Sequence, residues 1–63
     1  MIYKHEKWGD DKHYVISNNG MGQYTVIEFF NRHKKTQLTM NAEEKIMFVN
    51  RLKENDWYEH VYR

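Results

Sequence analysis

Asn-Ala-Glu-Glu-Lys-Ile-Met-Phe-Val-Asn-Arg-Leu-Lys-Glu-Asn, residues 41–55, is the one long segment of this chain with a helical period. Ala42, Ile46, Val49 and Leu52 recur at spacings of four, three and three, which place them on one stripe of a 3.6-residue helix. Phe48 lies at the edge of that stripe, and Met47 points away from it. Asn41 suits the N-cap, because its side-chain oxygen can accept an unpaired first-turn N–H. Glu44 stands three residues on, where a capping-box carboxylate belongs. Glu43 and Glu44 favour the positive end of the helix dipole, Arg51 and Lys53 the negative end. Asn55 and Asp56 read as the stop.

The segments before this helix are rich in strand formers: Tyr14, Val15, Ile16, Tyr24, Thr25, Val26, Ile27, Phe29 and Phe30. Asn18-Asn19-Gly20-Met21-Gly22 separates two such runs as a hairpin. A second turn is expected at Asn31-Arg32-His33-Lys34, and residues 35–40 make a third strand leading into the helix. The expected fold is α+β: a three-stranded antiparallel sheet in β-β-β-α order, one helix on one face, and a further short strand possible from the tail. Residues 1–11 read as a short edge strand or an arm, with Gly9-Asp10-Asp11 as a turn. Residues 56–63 return as a strand or lie across the sheet, with Trp57 and Val61 on one side and Tyr58 and Tyr62 on the other.

Register decides which face is core, because a slip of one residue swaps faces. A five-residue loop at 18–22 sets Ile16 opposite Tyr24, Tyr14 opposite Val26 and Lys12 opposite Glu28, the last an ion pair. A two-residue turn at Asn19-Gly20 instead pairs Val15 with Tyr24; the first register is preferred for its ion pair. A two- or four-residue second loop brings Ile27 opposite Leu38 and Phe29 opposite Thr36. One face then carries Val15, Ile27, Phe29, Leu38 and Met40, the expected seat of the helix. The other carries Tyr14, Ile16, Tyr24, Val26 and Phe30, and is aromatic where an antiparallel sheet is commonly polar.

Sixty-three residues make one domain with a small core. There is no cysteine and no proline, so neither disulfides nor thiolate ligands reinforce it. Three Phe, five Tyr and two Trp supply the apolar area instead. The formal net charge of +1 is neither the basic signature of a nucleic-acid binder nor that of an acidic mimic. No apolar run approaches the ~20 residues of a membrane span, and no signal core follows Met1. A cytoplasmic protein, complete as a small gene product, is the expectation.

The aromatic second face has three readings: a second core covered by the chain ends, a protein interface including a homodimer, or a stacking platform for single-stranded nucleic acid. The basic run Arg32-His33-Lys34-Lys35 is a solvated turn guarding a sheet edge, or a phosphate contact beside Phe30. His5, His13, His33 and His60 lack metal-ligand spacing. No nucleophile motif, Walker loop or Rossmann glycine pattern is present. Glu43 and Glu44 point about 100° apart on a helix and cannot face one another as an acid/base pair. These features argue against an enzyme and against any cofactor or small-molecule substrate. They favour a small regulator or inhibitor of a protein partner, of the kind phages encode, with Tyr14, Tyr24, Phe30, Met47, Trp57 and Tyr58 as contacts. The alternative is a nucleic-acid-binding module using Arg32, Lys34 and Lys35 with nearby rings.

Overall fold

The computed structural model describes residues 1–61. Five strands and one helix follow in the order β1 (Ile2–His5), β2 (Gly9–Gly20), β3 (Gln23–Phe30), β4 (His33–Asn41), α1 (Ala42–Glu54) and β5 (Trp57–His60). All pairings are antiparallel, in one sheet of order β4-β3-β2-β1-β5. The expected three-stranded sheet is therefore corrected to five strands. Residues 2–5 are not an edge or an arm: β1 lies inside the sheet, between β2 and β5. Gly9-Asp10-Asp11 opens β2 rather than forming a turn, the reversal falling at Glu6–Trp8. Lys4 and His5 mask the strand pattern of β1, but Tyr3 points inward and is the most buried side chain described, 1% exposed.

The hairpin registers also differ from expectation. Gly20 pairs with Gln23, so the first turn is Met21-Gly22, and both residues take the positive φ a two-residue hairpin turn requires. Asn19 is the extra residue where the register shifts, while Asn18 Oδ1 accepts the Gly20 N–H at 2.8 Å. Ile16 therefore faces Val26, and Tyr14 faces Glu28. This is two residues from the expected pairing, so Tyr14, Ile16, Tyr24 and Val26 keep one face. The Lys12–Glu28 ion pair forms diagonally, at 3.8 Å. The second turn is Asn31-Arg32, again at positive φ. A register shift between Glu28 and Phe29 leaves Lys35 unpaired and sets Val26, not Ile27, opposite Leu38. That one-residue slip moves Leu38 and Met40 to the face of Tyr24 and Val26.

The helix consequently seats on the opposite face from the one expected. Its core is Tyr3, Ile16, Val26, Val49 and Leu52, with Tyr14, Tyr24, Met40, Phe48 and Trp57 packed around them. The aromatic face is the interior, closed by α1 and enlarged by Tyr3 and Trp57 from the two ends. The helix stripe is rotated too. Val49 and Leu52 are buried, Phe48 and Lys45 half-buried, and Ala42 and Ile46 exposed. An aromatic floor explains the rotation: the Phe48 ring meets Tyr14 edge-on at 5.4 Å, and Lys45 lays its ammonium 5.3 Å from the Tyr24 centroid. The lysine stem thus covers the ring while its charge stays in water. The capping box forms in both directions, Glu44 N–H to Asn41 Oδ1 at 2.8 Å and Asn41 N–H to Glu44 Oε1 at 3.2 Å. At the other end Asn55 Nδ2 donates to the Arg51 carbonyl, and Asp56 turns the chain at φ 68°.

The far face has no element over it among the described residues. Ile2, Val15 and Ile27 form a half-buried row across its centre, with Phe29 beside them stacked on His13 at 5.0 Å and 9°. At its rim Lys4 Nζ donates to Asp10 Oδ1 at 2.6 Å, which holds the Asp10 carboxyl below the usual carboxylate range.

Candidate functional site: an aromatic and cationic cleft beside the helix

The helix touches β4 at one edge of the sheet and β5 at the other, as well as β3 between them. A single helix lying across five strands leaves part of its own face of the sheet uncovered. One uncovered part is an open cleft of about 440 Å³ between α1 and the β1–β2 turn. Four rings line it, Trp8, Tyr14, Phe48 and Trp57, together with His5, Lys7, Lys12 and Arg51, and no carboxylate lines it.

Backbone bonds between hairpin tips build this wall. The Trp8 N–H donates to the His5 carbonyl and the Trp8 carbonyl accepts from the Asp11 N–H, both at 3.0 Å. The Asn31 N–H reaches the Asp11 carbonyl at 2.7 Å, which ties the β3–β4 turn to the start of β2. Trp8 thereby comes edge-on to Phe30, with ring centres 6.4 Å apart. The opposite wall follows from the helix stop. Asp56 turns the chain into β5, and Trp57 meets Tyr14 at 4.9 Å and His5 at 5.3 Å, both edge-on. Lys12 Nζ stands between the two indoles, 5.3 Å from the Trp8 centroid and 6.0 Å from that of Trp57. Lys7 lies 5.4 Å from Trp8, and Lys35 5.8 Å from Phe30. Trp8, Trp57 and Phe30 therefore each offer an electron-rich face to a cation.

Beneath the cations, Tyr14 donates its hydroxyl proton to Glu28 Oε2 at 2.8 Å, the oxygen that Lys12 approaches. Burial first, then the hydrogen bond and charge of Glu28, push the Tyr14 phenol up to about 12. A folded-state value above the ordinary 10 means the folded protein holds this proton more tightly than the unfolded chain. Stability from this group is full below pH 10 and lost as pH rises from 10 through about 12. Chemical denaturation between pH 8 and 12 should show that decline, and Tyr14→Phe should make it shallower. Tyr3, whose phenol is raised by burial and then by the charge of Glu59, contributes in the same direction.

The six residues expected to contact a partner do not form one patch. Tyr14 and Trp57 line the cleft, and Phe30 adjoins it through Trp8. Met47 borders a separate apolar notch with Met40 and Phe48 on the same flank of α1. Tyr24 packs against the core, and Tyr58, paired with Lys4, belongs to the far face. The basic turn divides as well. Lys35 sits over Phe30, Lys34 donates to Gln37 Oε1 at 3.0 Å, and Arg32 borders a far-face recess with Lys4, Asp10 and His13. Sequence reasoning missed Trp8, Lys7, Lys12 and Arg51, which lie on three separate segments. The one available signal was Trp8 with a lysine on either side of it, Lys7 adjacent and Lys12 four residues on. No group of three or more His, Asp or Glu among the described residues is placed to hold a metal ion. No described helix is long and apolar enough to cross a membrane.

No protein-family model, curated protein or solved structure matches this chain.

Proposed function

We propose that this protein is a binding module for single-stranded nucleic acid, with the cleft as its site. The carrying observation is the position of Lys12 Nζ between the Trp8 and Trp57 indoles, in a recess with Lys7 and Arg51 and no lining carboxylate. Unstacked bases bring flat π-faces for rings, and their backbone brings anions for cations. A recess of about 440 Å³ has room for one base and its sugar. Phe30 with Lys35 continues the same pattern of ring and ammonium beyond Trp8, where a neighbouring nucleotide would lie. The balanced net charge does not oppose this reading, because Lys7, Lys12 and Arg51 line the cleft and no carboxylate is among its lining residues; Glu28 beneath them offsets one. A duplex offers no free base face to a recess of this shape, which favours single strands.

Titrating an oligothymidylate into the protein at rising salt tests the proposal by tryptophan fluorescence. Three or four phosphate contacts from Lys7, Lys12, Arg51 and Lys35 give log K falling with log salt at a slope of about −2 to −3. Absence of binding at low salt, or a flat slope, would refute it.

A second reading has its own observation. Leu38 and Met47, 55% and 64% exposed, extend the same side of the molecule as apolar surface. This supports a regulator of a protein partner, whose affinity responds little to salt.

A further inference from the structure

We propose that Asn19 is a modification site, whose conversion to aspartate and isoaspartate is held off by the folded β2–β3 hairpin and proceeds when that hairpin opens. Asn19 is the one asparagine of the chain followed by glycine. Gly20 has no side chain to shield its backbone nitrogen, which leaves that nitrogen open to the amide carbon before it. In the reaction the Gly20 nitrogen gives its proton to water or hydroxide and bonds to Asn19 Cγ. The Cγ–Nδ2 bond breaks, and the side-chain nitrogen leaves as ammonia, taking up one proton. The product is a five-membered succinimide. Water then opens either of its carbonyls, giving aspartate or isoaspartate, and no reagent other than water is consumed.

The folded hairpin engages both reacting groups elsewhere. The Gly20 N–H donates to Asn18 Oδ1 at 2.8 Å, so the proton that must leave is already bound. Asn19 Nδ2 donates to Thr25 Oγ1, which ties the side chain to the neighbouring strand β3. Gly20 is itself paired with Gln23 across the turn. Ring closure needs both hydrogen bonds broken, and the tip of a hairpin is where such local opening is easiest. Asn19 is also the extra residue at the register shift, with no residue of β3 opposite it. A charged or lengthened residue there displaces no cross-strand pair, so the product stays folded. Its carboxylate cancels the formal net charge of +1. Asn19 lies near the end of β2 and Lys12 near its start, so the change falls away from the cleft.

Tandem mass spectrometry of the full chain held in mildly alkaline buffer, with and without urea, tests this. Ion exchange separates the product by its charge. In urea Asn19 should react first among the asparagines. In the folded protein it should react about 5- to 150-fold more slowly, the joint effect of two hydrogen bonds of ordinary strength. Thr25→Val keeps the branched shape and strand preference of the side chain and removes its oxygen. Asn18→Ala removes the acceptor for Gly20. Each should leave the circular dichroism unchanged, speed the folded-state reaction about two- to tenfold and change the rate in urea little. Equal rates in the folded protein and in urea would overturn the proposal. So would no reaction at Asn19 in urea, or variants that stay folded and react no faster than the parent.

Discussion

Tyr3→Ala should leave the chain largely unfolded at 25 °C. Tyr3 is the most deeply buried side chain described, and it sits on β1 with β2 on one side and β5 on the other. Truncating a buried aromatic to alanine costs about 3–5 kcal/mol through lost transfer energy and the cavity left behind. At about 0.05–0.15 kcal/mol per residue, a chain of this length has a total stability of the same size. No disulfide stands in reserve. The residue also joins the two ends of the chain, since β1 pairs with β5 opposite Glu59. Losing its ring should therefore release β5 and Trp57 together with the floor under Val49 and Leu52. Far-ultraviolet circular dichroism and urea denaturation would show it. Tyr3→Phe keeps the ring and should remain folded. An alanine variant that melts within a few degrees of the parent would mean that β1 is not the inner strand of this sheet.

Trp8→Ala should remove most of the binding while leaving the fold intact. Trp8 is 37% exposed and lies outside the core, so its contacts with Phe30, Lys7 and Lys12 contribute little to stability. For a base-stacking ring the loss is about 1–3 kcal/mol, roughly 5- to 150-fold in affinity for an oligothymidylate. Lys12→Gln should act differently. It removes one phosphate contact and makes the salt slope shallower by about 0.7, at similar weakening for every base sequence. Trp57→Ala is the less decisive variant, because Trp57 also packs on Tyr14 and His5 in the wall of the core. If Trp8→Ala binds as tightly as the parent, the cleft is not the site, whatever the salt dependence shows.

Local chemistry made the helix and its ends legible. Asn41 and Glu44 hydrogen-bond within four residues of each other, and Asn55-Asp56 ends the helix through bonds to its last turn, so no distant residue is needed. The hairpin order and the grouping of Tyr14, Ile16, Tyr24 and Val26 on one face were legible for the same reason: alternation survives an even change of register. Which face met the helix was not. That turned on a single residue, Lys35, displaced at a register shift that carried Leu38 and Met40 across the sheet. Nor could sequence show β1 as an inner strand, because its neighbour β5 lies more than fifty residues away and only their pairing gives Tyr3 its burial. The cleft belongs to the same class. Trp8, Lys12, Arg51 and Trp57 come from four elements or turns, each ordinary alone. Long-range pairing and the angle at which one helix crosses five strands bring their rings and charges together.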